Sequence, residues 1–100
     1  MANRRIYTDK YELVLSIVGK KKVTTKNVTH DQVKSISFDP CKERKFLSMV
    51  PSEKITINVT GLENPVVYTK LQEKAFFEDY KKELEKFCKD NRVTFYNNLK

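Results

Sequence analysis

The sequence predicts a single α+β domain, residues 1–100, in which six or seven short antiparallel strands are followed by one C-terminal amphipathic helix. Two alternating apolar runs, several short β-branched segments and a change of period after residue 70 indicate this class. The chain has 100 residues, a length that supports one domain with one core. Its 39% hydrophobic and 11% aromatic residues are typical of a folded protein rather than a disordered one.

The clearest strand signal is the segment KITINVTG, residues 54–61, in which apolar and polar residues alternate until Gly61. Such period-two alternation indicates an antiparallel strand with one buried face. The segment YELVLSIV, residues 11–18, shows the same alternation less strictly. Four shorter runs separated by turn-like residues complete a predicted set of six strands: KVTTKNV (22–28), VKSISF (33–38), KFLSMV (45–50) and PVVYT (65–69).

Residues 71–91 contain neither glycine nor proline and change to a helical period. At 100° per residue, six apolar side chains fall on an arc of about 120°, which is typical of an amphipathic helix. These are Phe76, Phe77, Tyr80, Leu84, Phe87 and Cys88. We predict a helix from about Gln72 to Asn91 that packs on the sheet, since burying each aromatic ring contributes about 1.5 to 3 kcal/mol. Residues 92–100 are either a short terminal strand or a tail.

The formal net charge of +7 is concentrated in the first half of the chain. Residues 1–50 contain 11 Lys/Arg and 5 Asp/Glu, a balance of +6, whereas residues 51–100 contain 9 and 8, a balance of +1. Such asymmetry suggests an anionic partner, either nucleic acid or a membrane surface.

Two clusters of basic residues are the candidate anion-binding residues. One stands at the turn after Gly19, between the first two long strands, and the other stands in CKERK, which we predict to be a loop. In a meander these two loops emerge at the same end, so the clusters are expected to form one basic rim. The candidates are Lys20, Lys21, Lys22, Lys26, Lys42, Arg44 and Lys45.

The lysine turn has three interpretations: a specific phosphate or lipid site, diffuse attraction to anionic surfaces, or a solvated turn. No arginine lies between Arg5 and Arg44. Because lysine lacks the planar fork with which arginine binds phosphate bidentately, this absence favours the solvated turn over a specific site.

The segment VTHDQVKSISF, residues 28–38, places an apolar residue, an aromatic residue and two further apolar residues at a fixed spacing. These residues are Val28, His30, Val33 and Ile36. In a chain of short strands ended by a helix, this pattern resembles the bacterial pleckstrin-homology (PH)-like group. The resemblance implies a PH-like antiparallel barrel or curled sheet plugged by the helix, and headgroup-binding lysines in the loop between the first two long strands. It also implies binding of phosphoinositides, proteins or peptides.

The residue types that carry catalysis or bind metals are sparse and dispersed. His30 is the only histidine, and Cys41 and Cys88 are too far apart to show the close spacing of zinc ligands. Gly19 and Gly61 are isolated, unlike the glycines of phosphate-binding loops. We therefore expect no enzymatic activity, no metal and no cofactor.

The function predicted from sequence is a non-catalytic binding module that contacts a protein partner or an anionic membrane surface. The alternative is a small basic nucleic-acid-binding protein, although we expect Tyr7, Tyr11 and Tyr68 to pack rather than to stack on bases. The longest apolar run has eight residues, too few to span a membrane, and no signal peptide is evident. We therefore expect a cytoplasmic location, peripheral to the membrane if lipid is the partner. Homo-oligomers formed through an open strand edge remain an alternative.

Overall fold

A computed structural model describes residues 4–19 and 21–99, which form two β-sheets and one long helix. The first sheet has three antiparallel strands in the order β1-β2-β3. The strands are β1 (Ile6–Thr8), β2 (Glu12–Val18) and β3 (Val23–Thr29). A short 3-10 helix, His30–Gln32, then leads the chain into the second sheet.

The second sheet has four strands in the order β6-β5-β4-β7. They are β4 (Val33–Lys45), β5 (Ser48–Val59), β6 (Val66–Thr69) and β7 (Thr94–Asn97), with helix α1 (Phe77–Asn91) between β6 and β7. Strands β4, β5 and β6 pair antiparallel, whereas β7 pairs parallel to β4. The predicted α+β class and the C-terminal helix are therefore confirmed, and residues 94–97 form the terminal strand rather than a tail.

One hydrophobic core joins both sheets to the helix. Alternate residues of the strands supply one side of this core, as the period-two pattern predicts. The apolar arc of α1 supplies the other side through Phe77, Tyr80, Leu84, Phe87 and Cys88, all of which are buried. Burial raises the pKa of the Cys88 thiol to about 12, which suits a packing role.

The described strands form two sheets rather than a closed barrel, and β7 is parallel to β4, so the barrel alternative and the all-antiparallel pairing are wrong. Strand β1 is only three residues long and pairs with residues 13–15 of β2. Strand β6 has four residues and pairs with residues 54–57 of β5. Because neither strand reaches the other sheet's ladder, two sheets form instead of one. Strand β7 is parallel to β4 because the helix before it is a crossover that returns the chain in the same direction.

The predicted loop DPCKER and turn PSE are instead parts of two long strands, in which β4 and β5 pair continuously up to Lys45 and Ser48. The carbonyl of Phe38 accepts a hydrogen bond from Asn98 on the side away from β5. Along a strand, every second residue directs its backbone nitrogen and carbonyl to the same side. The nitrogen of Pro40, two residues after Phe38, therefore also faces away from β5. The same alternation turns the nitrogen of Pro51 away from β4. Proline is tolerated at such outward positions, because no ladder hydrogen bond is lost there.

The helix begins at Phe77, five residues later than the predicted start near Gln72. Residues 70–76 form turns that carry Glu73 into the interior, where it is 5% exposed. The Glu73 carboxylate accepts a hydrogen bond from the Tyr80 hydroxyl at 3.0 Å and pairs with Arg5 at 3.5 Å. The Tyr80 hydroxyl in turn accepts a hydrogen bond from the Arg5 backbone N–H at 2.8 Å. This network holds the segment before the helix against β1.

We predict that Tyr80→Phe lowers the free energy of unfolding by about 2 kcal/mol. The change removes the hydroxyl that donates to the buried Glu73 carboxylate and accepts from the Arg5 backbone N–H. Urea unfolding followed by circular dichroism measures this change. Tyr96→Phe is the matched control, since Tyr96 is exposed and its hydroxyl makes no comparable buried contact. Equal stability of the two variants would contradict the proposed role of the network.

Candidate functional site on the β4–β5 arm

The outer part of the β4–β5 hairpin, residues 39–53, extends past the neighbouring strands and is called the arm below. Strand β7 pairs with β4 only at residues 35–38, and β6 pairs with β5 only at residues 54–57. The arm is therefore a ribbon of two strands that projects from the second sheet. Its tip is the two-residue connection between the strands, Phe46 and Leu47.

The tip of the arm is apolar and almost completely exposed to solvent. Phe46 is 89% exposed and Leu47 is 93% exposed, while the nearby Met49 is 58% exposed. Single exposed apolar residues are common on protein surfaces and need no explanation. Adjacent apolar residues at the end of a projecting ribbon are less common, and contiguous exposed apolar surface marks contact sites.

The backbone of Phe46 is in an unfavourable conformation. Its φ angle is 56°, in the left-handed region that favours glycine. A residue with a Cβ atom pays roughly 1 to 2 kcal/mol in this region. The chain therefore keeps a phenylalanine at a position where glycine is the more stable choice, and strain of this kind concentrates at functional sites.

Three basic side chains lie directly behind the apolar tip. The register pairs Arg44 with Met49 and Lys42 with Pro51, so these two basic residues share one face of the arm. Lys45 follows Arg44 in the strand and therefore lies on the opposite face. All three basic side chains are exposed. The tip is thus flanked by positive charge on both faces of the ribbon.

Glu43 ties the inner part of the arm to the rest of the molecule. Its carboxylate accepts hydrogen bonds from the Ser52 hydroxyl and from the Leu71 backbone N–H, the latter at 3.2 Å. Burial opposes ionisation of Glu43, but these hydrogen bonds outweigh it and hold the pKa of the carboxyl below its ordinary value. The acidic side chain nearest the tip therefore points towards Leu71, which leaves the end of the arm basic.

The lysine turn lies in the other sheet. Lys21, Lys22 and Lys26 are exposed, the first two in the β2–β3 turn and the third on β3, while Lys20 lies outside the described residues. The prediction that both basic clusters stand in loops is wrong for Lys42, Arg44 and Lys45, which belong to β4. The physical reason is that β4 continues through CKERK by pairing with β5.

The tyrosines considered for base stacking divide into two groups. Tyr68 is buried, and its hydroxyl donates a hydrogen bond to the Ser16 carbonyl at 2.9 Å, so its predicted packing role is confirmed. Tyr7 and Tyr11 are more than half exposed, so the prediction that they pack is wrong. Neither of them lies on the arm.

His30 and Asp31 occupy the 3-10 helix between the two sheets. The His30 backbone N–H donates to the Tyr11 carbonyl at 2.9 Å, and the Asp31 carboxylate accepts a hydrogen bond from the Thr29 hydroxyl. This hydrogen bond lowers the pKa of the Asp31 carboxyl. Residues 4–19 and 21–99 contain no group of three or more histidine, cysteine, aspartate or glutamate residues arranged to hold a metal ion.

Sequence reasoning missed the apolar part of the arm. The sequence pattern places Phe46, Leu47 and Met49 in a short strand, KFLSMV, whose apolar residues fit a buried face. The available signal was the position of Phe46-Leu47 between two strand-forming runs with proline at Pro40 and Pro51, a pattern that also suits a long ribbon with a short connection.

Comparison with protein-family models, with curated proteins and with solved structures finds no match to this chain. The resemblance to the bacterial PH-like group therefore stays a prediction. None of the helices within residues 4–19 and 21–99 has the length and the apolar character that a membrane span requires.

We predict that Glu43→Gln destabilises the fold by about 1 kcal/mol at pH 7, because an amide is a weaker acceptor than the charged carboxylate. The pKa of Glu43 is lowered in the folded state, so the stabilisation is present above the unfolded-state pKa and is lost as pH falls through the folded-state pKa. Urea unfolding of both proteins between neutral and acidic pH measures the difference, which should shrink on acidification.

The control for this measurement is Glu85→Gln, which changes an exposed carboxylate on the helix. It should alter stability little at any pH. A difference between wild type and Glu43→Gln that stays constant as pH falls contradicts the role of the ionised Glu43 carboxylate.

Proposed function

We propose that this protein is a non-catalytic binding module that attaches to an anionic membrane surface through the tip of the arm. The observation that carries the proposal is the arrangement of Phe46 and Leu47, about nine-tenths exposed, immediately in front of Lys42, Arg44 and Lys45. In a bilayer, anionic headgroups cover the apolar acyl chains. An arm that enters the bilayer tip first places its apolar side chains among the acyl chains and its basic side chains among the headgroups.

The expected energies favour a weak and reversible attachment. Full removal of the Phe46 and Leu47 side chains from water contributes about 1.5 to 3 kcal/mol each. Each basic residue near an anionic bilayer contributes about 1 kcal/mol, and salt screens this part. Neither contribution alone anchors a protein stably, since stable attachment takes two signals. The arm supplies both signals at one place.

The shape of the arm favours a membrane over nucleic acid. Only three basic residues lie on the arm, whereas tight binding to a duplex neutralises several phosphates. Apolar wedges do enter DNA between base steps, so nucleic acid is an outcome that the experiment must distinguish. A ribbon that enters a bilayer end-on meets headgroups on both faces, and this suits Lys45 on one face with Lys42 and Arg44 on the other.

The resemblance to the bacterial PH-like group supports binding rather than catalysis for this chain. Under this proposal the protein is a PH-like module that is peripheral to the cytoplasmic face of a membrane. The lysine turn, with Lys21, Lys22 and Lys26, then adds diffuse attraction to the anionic surface rather than a specific headgroup site, because it lacks an arginine fork.

We predict that Phe46→Gly weakens binding to anionic vesicles about tenfold or more, because a loss of roughly 1.4 kcal/mol is tenfold in affinity. The same change relieves the strained φ of Phe46, so the variant should be at least as stable as wild type in urea. Co-sedimentation with vesicles of phosphatidylcholine containing phosphatidylserine measures binding, and phosphatidylcholine vesicles are the uncharged comparison. Tyr96→Ser is the matched control, since it removes an exposed ring elsewhere.

The double variant Arg44→Gln/Lys45→Gln should lose most of the salt-sensitive part of binding. Measurements at about 0.05 M and about 0.5 M salt separate this part from the apolar part, because high salt shortens the Debye length several-fold. Unchanged vesicle binding by Phe46→Gly contradicts the proposal. Binding of wild type to single- or double-stranded DNA that both variants lose supports the nucleic-acid function, and binding to neither surface points to a protein partner.

A further inference from the structure

Strand β3, at the edge of the first sheet, has a neighbouring strand on one side only. All of its residues pair with β2, and no other strand within residues 4–19 and 21–99 pairs with its far side. Strand β1 lies beyond β2, on the opposite side of this sheet. Every residue from 23 to 27 is exposed, so the rest of the fold leaves this stretch accessible. Its far side is called the open edge of β3 below.

Two hydrogen bonds at the ends of the β2–β3 hairpin show which backbone groups point to the open edge. The Gly19 N–H donates to the Lys22 carbonyl at 2.8 Å, and the His30 N–H donates to the Tyr11 carbonyl at 2.9 Å. Residues 22 and 30 therefore direct their backbone groups towards β2. Because every second residue of a strand directs these groups to the same side, the even-numbered residues face β2 and the odd-numbered residues face away. The accessible outward residues are Val23, Thr25 and Asn27.

The short 3-10 helix closes the edge at one end. The Thr29 N–H also points away from β2, but it donates to the Gln32 side chain at 3.0 Å. The Thr29 hydroxyl donates to the Asp31 carboxylate. Because Thr29 is satisfied locally, the open edge runs from Val23 to Asn27, a length of about 17 Å. A strand of about six residues spans this length.

The open edge is basic. Lys22 and Lys26 are exposed, and because the ladder continues to residue 22, these two even-numbered residues share one face of the strand. Lys21 is exposed in the adjoining turn. None of the ion pairs formed by the described residues includes these three lysines. Residues 13–30 contain no aspartate or glutamate, and the acidic residues that flank them, Glu12 and Asp31, stand at the closed end.

The lysines oppose pairing of the open edge with a second copy of itself. Two antiparallel copies of β3 place Lys26 of one copy opposite or diagonal to a lysine of the other copy in each register centred on the open edge. Like charges at such positions destabilise a pair of strands, and lysine guards many strand edges for this reason. Opposite charges at the same positions stabilise the pair, so the edge favours an acidic strand over its own copy.

We infer that the open edge of β3 binds an extended acidic segment of a partner protein as an added strand. Backbone groups of the segment pair with those of Val23, Thr25 and Asn27, which is the β-augmentation mode of recognition. Two aspartate or glutamate side chains of the segment, with three residues between them, face Lys22 and Lys26. The site lies in the other sheet from the arm and does not depend on the proposed membrane attachment.

The experiment selects heptapeptides from a random display library against the whole chain. The selected sequences should carry two acidic residues with three residues between them. Residue-resolved amide exchange, followed by NMR with and without a selected peptide, then locates the added strand. The amides of Val23, Thr25 and Asn27 should exchange about tenfold more slowly in the complex, because each becomes hydrogen-bonded. The amides of Thr24 and Lys26 already face β2 and should change less.

Lys26→Glu tests the charge complementarity. It should weaken binding of a selected acidic peptide about fivefold, because an attractive cross-strand pair becomes a repulsive one. Replacing the facing acidic residue of the peptide with lysine should restore most of this loss. Lys89→Glu is the matched control, since Lys89 is exposed on the helix, and it should bind within about twofold of wild type.

Thr25→Pro tests the backbone pairing. It removes an N–H that points to the open edge and leaves the ladder hydrogen bonds to β2 intact. It should weaken peptide binding about fivefold, as expected for one hydrogen bond, whereas Thr25→Val keeps the N–H and should bind within about twofold of wild type. Phe46→Gly should bind peptide as wild type does, which distinguishes this inference from the proposed function.

Four results would overturn the inference. No peptide is enriched, or the enriched peptides lack the acidic pair. Protection from exchange appears on the arm or equally on odd and even residues of β3. Lys26→Glu weakens binding to anionic vesicles but not to the selected peptide, which assigns the lysines to a membrane surface. The exchange measurement uses the wild-type protein, so the test stands even if Thr25→Pro fails to fold.

Discussion

The pairing of β4 with β5 is the constraint on which both the core and the arm depend. The ladder runs from Val33 opposite Val59 to Lys45 opposite Ser48. In its inner half the strands are flanked by β6 and β7, and their apolar side chains pack against the helix. In its outer half the same ladder pairs the backbone groups that point between the two strands, and neither β6 nor β7 flanks it. At about 3.3 Å per residue, the arm reaches roughly 20 Å past the last residue that β7 covers.

Incomplete pairing also separates the two sheets. Strands β1 and β6 are too short to meet, so side chains join the two sheets where a closed barrel would use backbone hydrogen bonds. The Tyr68 hydroxyl donates a hydrogen bond to the Ser16 carbonyl across the gap, and Tyr80 and Glu73 hold Arg5, the residue just before β1. These contacts keep the two sheets together.

The features that the sequence predicted well depend on local periodicity. The alternating apolar residues of KITINVTG and most of the apolar arc of α1 are buried as predicted. An apolar face is buried whichever element packs against it, so its residues can be identified from the sequence. The start of the helix was missed because Glu73 is held by Arg5, which is distant in the chain and gives no local signal. The arm was missed because KFLSMV has the same pattern whether or not another strand covers it, and because Pro40 and Pro51 are compatible with both turns and outward-facing strand positions.

Composition and side-chain spacing along the chain are enough to predict the α+β class, the amphipathic helix, most of the core residues and the excess of positive charge. They do not reveal that Phe46 and Leu47 are exposed with Lys42, Arg44 and Lys45 behind them, or that a cavity lies between β2 and β6. Exposure of a strand residue depends on which elements lie beside it, and this is set by long-range pairing rather than by the residue's own neighbours in sequence.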